Sequence, residues 1–461
     1  MLLRGVLEKF EKESPFTVMA HLSLAQALQP EWVNDVFEEH SDGQYTRTLL
    51  FSTVVEAMGL VSLGLSPSVH AAAKSLGEKL TVSLTSLYNK INRVHTAVVR
   101  ALVGGSAERF VPVMEELMPK GHRSVKGLRL RIVDGNHLPA SEKRLKPLRK
   151  YRGAALPGQA LVVYDPDLGL MLDILPWEDA HAQERLIMQA LLPRATKGDL
   201  WIADRNFCCA PILLGFIERG AYFLVREHAI NPNPKVESKL RSLGRVETGR
   251  VYEQTVSIRD ENGVVHRFRR IELHLDKETE DGDKIIRLLT NVPASKINAK
   301  KLADLYRRRW RIEAMFQRLE DVLESEIKTL GQPRAALFAF GVAALAYNVL
   351  ALLMATVRVK HAGTLEKLKI DVSPYYIAMQ IRMHYAGLLL LTDERDWEAY
   401  ESLNATRFAK MLMGLATNVD PRYFRSYPRK PKVASKKGYV SRSAVQKHVA
   451  TSQVLEAGRM V

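Results

Sequence analysis

The sequence predicts an α/β protein: a mixed β-sheet with flanking helices, preceded by a helical domain, interrupted by a β-rich insertion and followed by a helical region. Three observations carry this. Apolar spacing is helical up to about residue 118. From Lys126 it changes to alternation and short apolar runs, and two later stretches, 299–329 and 335–357, return to helical length.

A chain of 461 residues can hold several domains, and 46% hydrophobic residues supply folded cores. A formal net charge of +16 points to a polyanionic partner, of which nucleic acid is the commonest. The only cysteines, Cys208 and Cys209, are adjacent. They make neither a disulfide framework nor a metal-site spacing, so a reducing compartment is expected. The start, MLLRGVLEKFEKESPF, lacks the apolar core of an export signal, and a cytoplasmic, nucleoid-associated protein is expected. Ala335–Val357 is long and apolar enough to span a membrane. A fully buried core helix reads the same way. Asn348 near its middle would be costly in lipid, so the core helix is preferred and no membrane partner is expected.

The elements follow in order. Thr46–Leu65 has helical spacing; Ser66–Leu80 opens with Ser-Pro and reaches Gly77; Thr81–Leu102 follows as another helix. Helix, short turn and helix suit a DNA-reading helix-turn-helix, with Ser83, Thr85, Ser86, Tyr88, Asn89 and Lys90 as candidate contacts, or an ordinary helical hairpin. In LRLRIVD, Leu128, Leu130 and Ile132 alternate with Arg129 and Arg131, which predicts a half-buried strand. After a basic loop (HLPASEKRLKPLRKYRG), Ala160–Tyr164 and Leu170–Leu175 read as a hairpin across Asp165–Gly169. Helix Ala182–Leu192, strand Leu200–Ala203, helix Pro211–Arg219 and strand Ala221–Val225 complete the run. A meander followed by right-handed crossovers gives one mixed sheet, in the order of the ribonuclease H-like architecture. Two long strands, Arg250–Arg259 and Val264–Leu275, meet at Asn262-Gly263, a strong hairpin signal. IIRLLTNVP then leads to a charged helix, Ala299–Thr329, and to the apolar one. From Arg422 onward ten Lys or Arg face one acid, Glu456, as in a solvated tail or a DNA-gripping arm. The expected organisation is a helical DNA-binding domain (1–120), a sheet core in two parts (121–226 and 293–360) around the insertion (227–292), a helical region (361–420) and a basic tail (421–461).

Three acids stand out. Asp134 lies at the end of the first strand and Asp204 just past the fourth, and this topology sets the two strands side by side. A lone aspartate at a strand end is ordinarily a turn former. Two together are unfavourable without a cation, and oxygen-only ligands suit Mg²⁺ or Mn²⁺. The third group should come from a helix packed on those ends. In LYRRRWRIEAMFQRLEDVLESEIKTLG, Tyr306, Arg309 and Glu313 share one face. Ile312, Phe316, Leu319 and Leu323 form an apolar stripe that could seat the helix. An Arg–Glu pair four apart is by itself an ordinary surface salt bridge.

With these residues the chain resembles bacterial insertion-sequence transposases of the DDE class, in the branch with a Tyr-x2-Arg-x3-Glu-x6-Lys signature. Here that signature covers Tyr306, Arg309 and Glu313; ADRNF around Asp204, FLVRE with Arg226 and the β-rich insertion are similar too, over about residues 126–350. The resemblance implies that Asp134, Asp204 and Glu313 hold two Mg²⁺ or Mn²⁺ ions. It implies that Tyr306, Arg309, Arg226 and Arg205 contact the DNA backbone, and that a homodimer joins two element ends. Glu320 stands at the family's lysine, so Arg318 is the candidate for that phosphate contact, and Ile286 stands where a relative stacks a flipped base on tryptophan. The implied activity is metal-dependent cleavage of double-stranded DNA at element terminal repeats and transfer of the freed 3′-hydroxyl to target DNA. The alternatives are a non-catalytic DNA-binding protein or degenerate transposase, and a nuclease that cuts without joining.

Overall fold

The computed structural model describes residues 4–427 apart from 45–47, 78–79, 81, 140–155, 280–281, 326, 328 and 401–402. Most of the basic loop after the first strand and the tail beyond residue 427 lie outside the described residues, so the expected DNA-gripping arm does too.

Among the described residues seven α-helices come first: α1 (Arg4–Glu13), α2 (Pro15–Ala27), α3 (Pro30–His40), α4 (Phe51–Ser62), α5 (Val69–Ser75), α6 (Leu84–Ile91) and α7 (Thr96–Leu117). The single helix expected over Thr81–Leu102 is two, broken at 92–95. Ser83 caps α6 by accepting from Ser86 N, and the His95 ring caps α7 by accepting from Ala97 N. Such caps satisfy orphaned amides and start a new helix where spacing alone reads as continuous. Of the candidate helix-turn-helix contacts, Ser83, Thr85, Ser86 and Asn89 are exposed, Tyr88 is half-buried and Lys90 lies over the Phe37 ring.

The centre is one ten-stranded mixed sheet, ordered β3-β2-β1-β4-β5-β10-β9-β8-β6, with β7 also pairing β8. Its first half is β1 (Arg129–His137), β2 (Gln159–Asp165), β3 (Leu170–Trp177), then α8 (Glu184–Gln189), β4 (Asp199–Ala203), α9 (Ala210–Glu218) and β5 (Tyr222–Arg226). β1, β2 and β3 are antiparallel, whereas β4 and β5 run parallel to β1, as the meander-then-crossover reading requires. The helix expected over Ala182–Leu192 is only α8, followed by a short 3₁₀ turn at Leu192–Arg194.

The insertion is β-rich, as expected. It comprises β6 (Lys235–Val236), β7 (Arg241–Val246), β8 (Gly249–Arg259), β9 (Val265–Leu275) and β10 (Ile285–Thr290). The 249–275 hairpin forms, with Gly263 at φ +82°, yet the insertion is no separate layer. β10 pairs antiparallel with β5 and carries β9 and β8 along, so the sheet simply continues. An unpaired β5 edge would expose a row of backbone donors and acceptors, and β10 covers it.

After the sheet come α10 (Ala299–Arg307), α11 (Trp310–Asp321), α12 (Pro333–Lys360), α13 (Ala362–Leu368), β11 (Asp371–Val372), α14 (Pro374–Leu391), α15 (Glu394–Trp397), α16 (Ala405–Leu415) and β12 (Arg425–Ser426). Among the described residues α12 is the one helix long and apolar enough to cross a membrane, and its apolar stretch is buried inside the protein as a core helix. Asn348 is satisfied there: its Oδ1 accepts from Met171 N and its Nδ2 donates to Met171 O, both at 2.8 Å. The contact falls at the β2–β3 register shift, where backbone groups need an outside partner.

Sheet and helices share their cores. One core joins α3, α4, α7, α10, α11 and the first part of α12 to the sheet face formed by Leu130, Ile132, Leu200, Ile202 and Leu224. Another joins α8 and α9 to the opposite face, formed by Val133, Trp201, Ala203, Phe223 and Val225. A third gathers α2, α14, α16 and the end of α12. The sheet is thus covered on both sides. Even Arg131, on the second face of β1, is only partly exposed, paired at 2.6 Å with fully buried Asp165.

Candidate active site

Strand register brings the two aspartates together. β1 and β4 pair in parallel up to Ile132↔Ile202, so Asp134 and Asp204, each two residues on, stand side by side. β4 and β5 pair up to Ala203↔Val225, which sets Arg226 beside Asp204. Side chains two apart share a face. Asp134, Asp204 and Arg226 therefore continue the apolar rows of Ile132, Ile202 and Leu224, on the face that α10–α12 cover. Asp134 is not at a strand end as expected. β1 runs on to His137, and it is β4 that stops, at Ala203. Asp204 then caps a 3₁₀ turn over Arg205–Phe207, accepting from Asn206 N at 2.7 Å.

The expected single helix over 299–329 is α10 and α11, and described helix ends at Asp321. At the joint, Arg308, Arg309, Arg311 and Ile312 donate to carbonyls three residues back, which tightens the chain into a 3₁₀-like turn. α11 seats on the core through Ile312, Met315, Leu319 and the following Leu323, with Phe316 only half-buried. The arginines of RRRWR diverge at this turn. Arg307 pairs with Glu247 and Asp304, Arg308 reaches Ser124, and Arg311 donates to Pro166 O. Arg309 alone of these turns inward: Nη1 donates to Asp134 at 2.7 Å and Nη2 to Glu313 at 2.9 Å, while its buried Nε has no partner.

Burial pushes the Asp134 carboxyl up to about 7. Arg309 opposes this, whereas Asp204 and a fourth acid, Glu184, add to it. Burial would lower the Arg309 pKa, but Asp134, Tyr306, Glu313 and Asp204 outweigh it and raise the net value. Tyr306 is pushed up to about 12, by burial first, against the pull of Arg309 and Arg226. Its hydroxyl is therefore a neutral donor at any physiological pH.

Asp134, Asp204, Glu313, Tyr306, Arg309 and Arg226 thus meet in one place. Arg205 is exposed beside it and shares with Arg226 the lining of a cavity of about 450 Å³. Arg226 itself is ion-paired to Asp283 at 2.5 Å. Arg318 is elsewhere: it is half-buried, and its charge acts on Tyr164 and Asp371. Glu320 is exposed and Ile286 packs partly against the core.

Glu184 escaped the sequence reading. It opens α8 on the opposite face of the sheet, and Asn206 Nδ2 donates to it at 3.2 Å. Nothing in its local pattern distinguishes it from an ordinary first-turn acid.

Among the described residues no three acidic, histidine or cysteine side chains already converge on one point as an ion requires. The guanidinium of Arg309 lies between Asp134 and Glu313 instead. The donor chemistry nevertheless fits a hard divalent cation. It offers carboxylate oxygens only, and the burial and crowding that raise Asp134 are what a bound cation would relieve.

Asp134 and Asp204, on adjacent parallel strand segments, stand with Glu313 among arginines, a pattern suited to binding phosphate, and the comparisons bear on the same segment. Residues 126–349 match the family model described as Transposase DDE domain. The chain is 25% identical over 243 residues to "Putative transposase InsL for insertion sequence element IS186A" of Escherichia coli (strain K12). It is equally similar to "Transposase for insertion sequence element IS421" of Escherichia coli. Each match covers 46% of this chain and 62% of the relative. The chain is thus similar, over about half its length, to insertion-sequence transposases, and it spans less than two thirds of the relatives it matches.

Proposed function

We propose that the chain is a DDE transposase that binds the terminal repeats of its insertion sequence, cleaves their strands and joins the freed 3′-hydroxyls to target DNA. The observation that carries this reading is the convergence of Asp134, Asp204 and Glu313 around Arg309, inside the segment that resembles the transposase domain. The strand order β3-β2-β1-β4-β5 supports a ribonuclease H-like core, and the Tyr306–Arg309–Glu313 cluster supports the Tyr-Arg-Glu-Lys branch, with Glu320 at the lysine position.

Asp134, Asp204 and Glu313 would hold two Mg²⁺ or Mn²⁺ ions, which supply activation of the attacking hydroxyl and charge neutralisation at the leaving oxygen. The chain's own groups do the rest. Arg309 must give up at least one carboxylate as DNA enters, and its unpartnered Nε marks it as a donor for a phosphate oxygen. Tyr306 donates through a hydroxyl that stays protonated. Arg226 and Arg205 grip the backbone on the other side of Asp204. Phosphate contacts of this kind position the duplex without reading its sequence, a task left to α6 and its exposed Thr85, Ser86 and Asn89. Two copies would hold two element ends in the cytoplasm.

Asp134→Asn tests the reading. It should abolish Mg²⁺-dependent nicking and strand transfer on duplex DNA carrying the element ends, with DNA affinity largely retained. Undiminished strand transfer by this variant overturns it. Nicking without joining by the unaltered protein would leave a nuclease, and DNA binding with neither would leave a non-catalytic DNA-binding protein.

A further inference from the structure

We propose that the outer face of α14 is a self-association surface, on which a second copy of this chain docks through the same helix. The inference goes beyond the proposed function, which calls for two copies without saying where they meet. Its physical basis is independent of the metal chemistry.

α14 is apolar on both sides. Ile377, Ile381, Tyr385 and Leu388 are buried in the core shared with α2 and α16. At about 100° per residue the opposite side is Tyr376, Met379, Met383, Ala386 and Leu390. All five are exposed, Met383 by 67% and Leu390 by 83%, and among the described residues nothing covers them. Their spacing alternates between three and four, the spacing of a seam along which two helices interlock. A solvated helix face ordinarily carries charged groups, yet the only Lys, Arg, Asp or Glu in α14 is Arg382. That side chain turns inward: Nε donates to Leu63 O at 2.8 Å and Nη2 to Val322 O at 2.5 Å. Tyr375, Leu389 and Leu391 extend the exposed face at its rims. Together these side chains present roughly 800 Å², one partner's share of a standard interface and more than the roughly 300–600 Å² of the largest apolar patch on a typical monomer.

The same features select the occupant. The face has no cation to grip phosphate, so the DNA that a net charge of +16 attracts binds elsewhere. It also lacks the Lys and Arg that hold an interfacial helix on a lipid surface. An uncharged apolar strip is its own complement. Two copies related by a two-fold axis cover each other's strip and leave no charge unpaired. Arg382 ties the back of α14 to Val322, just past α11, so this pairing sets the two α11 helices, each with its Glu313, in a fixed relation.

Sedimentation equilibrium of the full chain without DNA tests this. The unaltered protein should be dimeric at micromolar concentration. Met383→Glu with Leu390→Glu should weaken the dimer at least about 100-fold, because like charges set against each other across an interface are costly. Far-UV circular dichroism should not change, since both positions are exposed. Met383→Lys with Leu390→Lys should act alike, and an equimolar mixture of the two variants should dimerise again, as only a face that meets itself allows. Asp134→Asn should dimerise like the unaltered protein, so failure of the transposase reading leaves this surface standing, and the reverse. A dimer that survives the glutamates lies elsewhere and overturns the proposal. Monomeric variants that the mixture does not restore overturn it too. A monomer at every concentration also overturns it, and leaves the face to the tail beyond residue 427 or to an unlike protein.

Discussion

Arg309 donates to Asp134 across 2.7 Å, joining a turn between two helices to a strand 175 residues earlier in the chain. The same guanidinium reaches Glu313, four residues on, at 2.9 Å. Arg309 and Asp134 are both largely buried, so this ion pair is not the surface salt bridge that an Arg–Glu spacing of four ordinarily denotes.

Removing Arg309 should therefore destabilise the metal-free protein. Arg309→Ala leaves Asp134 either charged without a counter-ion or forced to take up a proton, and breaking such a buried pair costs about 3 kcal/mol. Millimolar Mn²⁺ should restore part of the loss, because it supplies the missing positive charge. Urea unfolding with and without Mn²⁺ measures both effects. Equal destabilisation in the two conditions would separate Arg309 from the cation site.

The raised Asp134 pKa gives a pH dependence of definite sign. The unfolded carboxyl titrates near 3.8 and the folded one at about 7, so between these values the folded state holds more protons. Stability from this group is fully present below about 4 and is lost as pH rises through about 7. The metal-free melting temperature of the wild type should fall over this interval, and Asp134→Asn should flatten that fall. A variant curve parallel to the wild-type one would assign the effect to other groups.

Asn348 tests the core helix. Asn348→Leu removes both hydrogen bonds to Met171 and leaves its buried N–H and C=O unmatched. About 3 kcal/mol should be lost, since each unsatisfied buried group costs about 1–3 kcal/mol. Equilibrium unfolding reads this directly. A neutral result would mean that the β2–β3 register shift relaxes to satisfy Met171 by itself.

A second packing test lies between α7 and α12. A Cβ at Gly341 would come within 2.3 Å of Val99 Cγ1, so Gly341→Ala forces the two helices apart. Overpacking of this kind costs about 1–3 kcal/mol. Gly341→Ala combined with Val99→Ala should recover most of it, and failure of the pair to couple in a double-mutant cycle would contradict the close approach.

Arg205 offers a test of DNA contact apart from catalysis. Arg205→Ala should weaken binding to unrelated duplexes by similar factors and reduce the magnitude of the slope of log affinity against log salt by about 1, as loss of one phosphate contact does. A change confined to one DNA sequence would make Arg205 a base reader.

Much of the fold could be read from residue order, because its signals are local. Alternation in LRLRIVD, Asp165–Gly169 at the hairpin and Asn262-Gly263 in the insertion depend on neighbours a few residues apart, and β1, the β2–β3 turn and the β8–β9 hairpin follow from them. The apolar stretch around Asn348 was legible as a core helix because an amide at its centre needs polar partners. Asp134, Asp204, Tyr306, Arg309 and Glu313 were nameable from strand order and helix spacing, and Arg226 only from the resemblance of FLVRE to the transposase family. The sequence could not show that β10 joins β5 and turns the insertion into more of the same sheet, since strand pairing at that distance has no local signal. Nor could it show the turn at Arg308–Arg309, where tertiary pairing of Arg309 with Asp134 overrides a continuous helical pattern, or Arg318 facing Tyr164 and Asp371 rather than the carboxylates. Glu184 is the clearest case. Its carboxylate packs against Gly135, 49 residues earlier, and accepts from Asn206, and only packing the chain in three dimensions brings those residues together.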